Sequence, residues 1–425
     1  MLADTVMVGS LGAIALGAAA FASSLFNVYL VFGIGLLAPM AAQFARIHGQ
    51  QNEKQGGHFL RHSLFIAVAC SVSLMVLLYA LLPFLHMFGQ TAEVLKQGAV
   101  FLQILTWSLL PSLLFQNYKQ FTDGMGQTKI AMYIMIGGVV LNIVGNYFLI
   151  HGYGKFHGYG LNGSAYATLI SRWLMALILM IFVHAAPRFR NFLREKWTCT
   201  FDFDLVKDQL RLGLPNAFTF LFEVGAFASA ALMMGWFGTD PLAAHQITLS
   251  LASTTFLIAV GVGIASSIRV GFEMGRGNPR AARFAAYTSI AMGAGFMALC
   301  GLGFYFLRGW LPTLYVDDVD VIAWAAKFFM IVAVFQIFDG LQAVTVGSLR
   351  GLSDTQWPSL MAFFSYWVIG LPIGYFLAFY GGLGPVGIWL GLLAGLVTAS
   401  ILLSIRFYIL SRRYIKSSHG ILTID

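Results

Sequence analysis

The stretch Leu214-Pro215-Asn216-Ala217-Phe218-Thr219-Phe220-Leu221-Phe222-Glu223-Val224-Gly225-Ala226-Phe227-Ala228-Ser229-Ala230-Ala231-Leu232-Met233-Met234-Gly235-Trp236 is mostly apolar and carries a single charged residue, Glu223. About 20 such residues in an α-helix cross the hydrocarbon layer of a bilayer. Working outward, further apolar runs lie near Leu11–Ala45, Phe59–Met87, Val94–Phe115, Ile130–Ile150 and Leu161–Val183 on one side. On the other they lie near Leu242–Ile268, Phe284–Phe306, Val321–Leu349, Leu360–Tyr380 and Val386–Leu410, which makes eleven. Of the 425 residues, 59% are apolar and 10% charged, against about 45–50% and about 25% in soluble domains. A soluble enzyme and a disordered scaffold are excluded, and an all-α polytopic membrane protein is expected.

Short motifs recur at a near-constant offset. Val8-Gly9-Ser10-Leu11-Gly12 matches Met234-Gly235-Trp236-Phe237-Gly238, and Gly49-Gln50-Gln51-Asn52 matches Gly275-Arg276-Gly277-Asn278, both 226 residues apart. Gly124-Met125-Gly126-Gln127-Thr128 aligns with Gly351-Leu352-Ser353-Asp354-Thr355, and Gly160-Leu161-Asn162-Gly163 with Gly384-Pro385-Val386-Gly387. An even number of spans separates equivalent positions, so the repeats run parallel about an axis normal to the membrane. The offset also places the first turns of the first span ahead of Met1. The expectation is a protein of twelve spans, of which this chain carries only the end of the first, Met1 to Gly9.

The basic residues then give the orientation, because Lys and Arg collect on the cytoplasmic side. If the polar segment 187–212 is cytoplasmic, 20 of the 25 basic residues fall on its side, among them Arg46, Arg269, Arg276, Arg350, Arg406 and Lys416. The net charge of +8 is thereby explained by topology, without nucleic acid. The expected layout is an N-terminal lobe over 1–186, a cytoplasmic linker over 187–212, a C-terminal lobe over 213–412 and a cytoplasmic tail over 413–425. Cys70, Cys199 and Cys300 are too far apart in sequence for a metal motif or a disulfide framework. Phosphate-loop, zinc-protease and nucleophile-elbow signatures are also missing from the sequence, so no enzymatic activity and no cofactor is expected.

Three acids, Asp4, Glu223 and Asp339, lie within apolar helices, where an ionised side chain costs about 2.5–3.5 kcal/mol on insertion scales. Such groups face a cavity or another helix. Burial disfavours the charged carboxyl and an arriving cation favours it, so one group can hold a proton, a sodium ion or an organic cation in turn. Phe218, Phe220, Phe222 and Phe227 crowd one span, and Phe328, Phe329, Phe335 and Phe338 another. Aromatic faces attract cations, although most of these rings are expected to be ordinary packing. Asn142 and Asn146, one turn apart, either line a cavity of the first half or bond across helices. Arg172 lies within a span, and His245 reads as a satisfied structural histidine. Gly33-Ile34-Gly35 and Gly261-Val262-Gly263 read as close-packing or flexible points.

Several stretches resemble the multidrug and toxic compound extrusion family, in its NorM-like bacterial branch. They are Asp4-Thr5-Val6-Met7-Val8-Gly9, Phe222-Glu223-Val224, Ala243-Ala244-His245-Gln246, Ser267-Ile268-Arg269-Val270-Gly271, Gly347-Ser348-Leu349-Arg350-Gly351 and Ser365-Tyr366-Trp367-Val368-Ile369-Gly370-Leu371-Pro372. The resemblance covers essentially the whole chain. It implies twelve helices in two six-helix lobes and export of organic cations driven by sodium or proton entry. It further implies that Glu223 and Asp339 are the cation-site acids, ligating Na+ if sodium is the coupling ion, and that Asp4 is the first-helix acid. Phe227 and Phe256 would lie at aromatic positions near that site, and Asn142 and Asn146 by the first-lobe cavity.

The reading is thus a secondary active antiporter of the bacterial inner membrane, acting as a monomer on small cationic or amphipathic drugs and dyes, with a consequence for antibiotic resistance. The rivals are a flippase for a lipid-linked polyanion, which asks for cavity lysines or arginines, an intramembrane aspartyl protease and a channel.

Overall fold

A computed structural model describes residues 7–153, 156–193 and 201–417. Asp4 and Cys199 lie outside them. Among the described residues, eleven helices are long and apolar enough to cross a membrane. They are α1 (Ala13–Gly49), α2 (Lys54–Phe88), α3 (Ala92–Gly124), α4 (Thr128–His151), α5 (Leu161–Ala185) and α6 (Phe203–Gly235). The rest are α7 (Thr239–Gly275), α8 (Pro279–Phe306), α9 (Val319–Gly351), α10 (Gln356–Phe379) and α11 (Pro385–Ser417). A two-residue hairpin, Gly152–Tyr153 against Phe156–His157, follows α4. Most helices outrun their apolar cores by a turn or more. The largest extension is α6, which begins inside the expected linker. Asp204, Lys207, Asp208 and Arg211 break the hydropathy there, yet one helix runs from them through Pro215.

The sequence repeat reappears as backbone geometry. Gly12 and Gly238 share φ values of 104° and 113°, Gln51 and Gly277 of 57° and 72°, Gly126 and Ser353 of 74° and 63°, and Gly160 and Gly384 of 56° and 57°. Each pair sits at one of the repeat offsets and shares a positive φ, where glycine is the favoured residue. At two of the eight positions, Gln51 and Ser353, a side chain is held there instead. The next residues repeat as well: the side chains of Asn52 and Asn278 accept hydrogen bonds from the Gln55 and Ala281 amides, capping α2 and α8.

The chain divides into two compact units, Met1–Phe44 with Asn52–Gly213, and Ala45–Gln51 with Leu214–Asp425. The first buries Phe26, Leu37, Leu78, Leu102, Leu109 and Leu113. In it Phe44 meets Phe59 and Phe121 edge-on, with ring centres 4.9 and 5.2 Å apart. The second buries Phe328, Phe329, Tyr366, Trp389, Leu392 and Leu396. Glycines set how closely its helices approach. A Cβ on Gly263 of α7 would lie 2.8 Å from the Ala343 carbonyl oxygen of α9, and one on Gly391 of α11 would run into the backbone of Gly374 of α10. Small residues at crossings are the usual means of close packing in lipid, where association is not driven by the hydrophobic effect.

Candidate functional site

Four of the residues singled out from sequence converge in the second unit. Glu223 and Phe227 from α6, Phe256 from α7 and Asp339 from α9 line one cavity of about 260 Å³, together with Phe220, Ser253, Phe335 and Trp389. The walls are almost wholly apolar, and the two carboxyl groups are its charged features. Phe227 packs edge-on to Phe335 with ring centres 6.2 Å apart. Phe328 and Phe329 are buried core, and Phe218 is exposed, where it stacks on Phe222. The aromatic runs therefore divide into a few cavity walls and ordinary packing.

Helix α9 is fixed along its length around Asp339. The Gln336 amide donates to Thr255 Oγ1 (2.9 Å), the Ser400 hydroxyl donates to the Phe338 carbonyl (2.8 Å), and Gln342 accepts from the Tyr366 hydroxyl (2.6 Å). Tyr366 and Trp367 are aimed by a π-helical turn, Phe364–Gly370, in α10. Pro372 follows it and has no N–H to offer the α-helical ladder. The Leu371 amide instead reaches back five residues to the Tyr366 carbonyl. Wide turns of this kind recur at functional sites. Here it turns the Trp367 indole toward α6, where Nε1 donates to the Phe222 carbonyl at 3.0 Å, beside Glu223. Gly225 leaves room for that indole, since a Cβ there would lie 2.9 Å from Trp367 Cζ2.

The acids are distinguished by what they lack. Among the described residues four acids are buried, Asp123, Glu273, Asp339 and Asp354. Asp123 pairs with Lys119 (2.8 Å), Glu273 with Arg269 (2.7 Å) and Asp354 with Arg406 (2.7 Å). With other described residues Asp339 forms no such pair, and neither does the half-buried Glu223. Removing an ionised carboxyl from water without a partner is costly, so these two are poised for a positive charge supplied from outside. Two carboxylates and the Ser253 hydroxyl are oxygen donors suited to a hard monovalent ion. Among the described residues no cluster of three or more His, Cys, Asp or Glu exists that would hold a resident metal.

The remaining residues sort differently. Asn146 donates to Asn142 at 3.3 Å, and Asn142 to Thr168 of α5 at 3.3 Å, so the pair bonds across helices in the first unit. Arg172 donates to the Ser108 hydroxyl (2.7 Å) and lies 4.9 Å above the Phe26 ring. His245 corrects the expectation of a satisfied histidine: it is fully buried against Trp389, with ring centres 5.2 Å apart, and neither ring nitrogen hydrogen-bonds another described residue. Sequence reasoning missed Trp389, Tyr366, Gln342 and Arg350 as parts of the site. The first three are unremarkable residues of apolar spans, and Arg350 was counted among loop charges.

The family described as MatE matches residues 1–148 and 215–376. The multidrug resistance protein NorM of Burkholderia vietnamiensis is 36% identical over 415 residues, 96% of this chain and 88% of that protein. The probable multidrug resistance protein NorM of Brucella suis biovar 1 is 33% identical, over 95% of this chain and 87% of its own length. A crystal structure of MATE in the bent conformation superposes with a TM-score of 0.91 at 19% identity, covering 98% of this chain and 92% of that one. The chain belongs to the multidrug and toxic compound extrusion family of membrane transporters.

Proposed function

We propose that the protein is a secondary active antiporter that exports organic cations in exchange for Na+ or H+. The observation that carries this reading is the 260 Å³ cavity in which Glu223 and Asp339, neither held in an ion pair, face aromatic walls. An organic cation enters with its charge toward the carboxyl groups and its apolar body against Phe220, Phe227, Phe256 and Phe335. A proton or sodium ion neutralises the same carboxyl groups, so the two ligands exclude each other. Exclusion is coupling, because the affinity each ligand loses in the presence of the other is the free energy that links their movements. Support also comes from the relatives named above, which are multidrug resistance proteins.

In this reading the protein works as a monomer in the inner membrane, with the 187–212 linker and the tail beyond 412 in the cytoplasm. The lobes are 1–186 and 213–412, and no cofactor takes part. The first-unit pair Asn142–Asn146 is assigned to cation or substrate binding, as is Asp4, which lies outside the described residues. Flipping of a polyanionic lipid finds less support: Arg172 is engaged with Ser108 and Phe26, and the charged residues lining the larger second-unit cavity are the two acids. The test is dye efflux from energised cells expressing wild type or Asp339→Asn at matched levels. Loss of efflux in the variant is expected, and efflux at the wild-type rate would remove Asp339 from the mechanism.

A further inference from the structure

Glu223 stands between two cavities. Besides the larger one shared with Asp339, it lines a smaller one of about 40 Å³ with Thr219, Gln342 and Arg350. Arg350 ends α9, but its side chain lies along α6. Its Nε donates to Asn216 Oδ1 at 2.5 Å, and its guanidinium carbon is 5.2 Å from the centre of the Phe220 ring. Asn216, Phe220 and Glu223 follow one another at spacings of four and three on that helix, which is one face. The guanidinium is thus held on the face of α6 that carries Glu223 and lines the smaller cavity with it, where opposite charges attract, while Asp339 shares the larger cavity with Glu223, where like charges repel. A guanidinium does not lose its proton in proteins, so this charge is permanent.

We propose that Arg350 is a fixed counter-charge that sets the net charge of the transport cavity at one negative, so that the site accepts a single positive charge at a time. This rests on the reading of Glu223 and Asp339 as the cation site. Two carboxylates and one guanidinium leave one negative charge uncompensated in apolar surroundings. One monovalent ion or one monocationic drug neutralises it, and a second positive charge would leave an unpaired excess, which such surroundings disfavour. The consequence is exchange of one charge for one charge, and a preference for monocations over dications of similar apolarity. Asn216 and Phe220 hold the guanidinium in place without neutralising it.

Two measurements test this. In wild-type proteoliposomes, the drug gradient that just balances an imposed ion gradient is measured for tetraphenylphosphonium at zero and at inside-negative potential. A balance point that does not move with potential is expected, and one that shifts as for a second positive charge entering per drug overturns the proposal. Equilibrium binding in nanodiscs then compares tetraphenylphosphonium with a bis-quaternary dication for wild type, Arg350→Gln and Arg350→Lys. Arg350→Gln shifts the ratio of affinities toward the dication by about tenfold, whereas Arg350→Lys keeps the wild-type ratio. A ratio within twofold of wild type in Arg350→Gln refutes the role of Arg350. If Glu223→Gln and Asp339→Asn both leave tetraphenylphosphonium binding unchanged, the cation-site reading itself fails, whatever Arg350 does.

Discussion

Gly261 and Gly263 lie half a turn apart on α7, and the structure gives them opposite fates. A methyl group on Gly261 meets nothing within 4 Å. One on Gly263 presses on the Ala343 carbonyl oxygen at 2.8 Å, and one on its partner Gly347 meets the Gly263 carbonyl carbon at 2.6 Å and its Cα at 2.8 Å. These atoms belong to backbone and cannot turn aside, so Gly347→Ala must move α9 from α7 by about 1 Å to restore an ordinary contact. Overpacking of this kind costs about 1–3 kcal/mol, and the better helix propensity of alanine returns up to about 1 kcal/mol. Gly347→Ala is therefore expected to be about 1–2 kcal/mol less stable than wild type, and Gly261→Ala equal to it or slightly more stable. Phe256 on α7 and Asp339 on α9 lie about two turns from this crossing, so the loss should be accompanied by weaker binding of tetraphenylphosphonium. Because Gly263→Ala and Gly347→Ala both call for the same separation, the double variant should lose less than the sum of the two. Thermal unfolding in detergent, with and without ligand, measures both. Equal destabilisation by Gly261→Ala and Gly347→Ala would refute the assignment of the close crossing.

Two further outcomes follow from other parts of the second unit. Arg406→Met leaves the buried Asp354 carboxylate without its 2.7 Å partner and should cost about 3 kcal/mol in unfolding measurements; adding Asp354→Asn should recover most of that, and no recovery would mean that the arginine acts through packing alone. Phe227→Leu and Phe256→Leu should each weaken binding of a quaternary cation by about 0.5–2 kcal/mol while changing the binding of a neutral compound of the same shape by less, and an equal loss for both compounds would assign the rings to packing.

The legible parts of the molecule were those in which one residue contradicts its surroundings. A carboxyl in a run of Phe, Leu and Val is conspicuous because lipid offers no compensation for it, and so Glu223 and Asp339 could be singled out without a structure. Turn glycines 224–227 residues apart were equally visible, and equivalent positions share a positive φ in the structure. The start of α6 was not legible, because the charged residues before Gly213 end the apolar signal without ending the helix. Arg350 was obscured by its position beside Gly351 at a span end, where arginine normally faces the cytoplasm. Its engagement with Asn216 and Phe220 depends on a neighbouring helix 134 residues earlier in the chain. The stretch with Tyr366 and Trp367 stood out by its resemblance, but the side these residues face did not, because their π-helical turn departs from the 3.6-residue period on which any assignment of helix faces relies.

Antiport itself is tested most directly by the ion movement that a drug gradient evokes. Proteoliposomes holding the purified protein are loaded with tetraphenylphosphonium and diluted into drug-free medium with no initial ion gradient, and internal pH and sodium are followed. The account predicts that outward flow of the drug drives one of the two ions inward, against the gradient that develops, and that Glu223→Gln and Asp339→Asn abolish this. Drug that runs out of wild-type vesicles without moving either ion would contradict it.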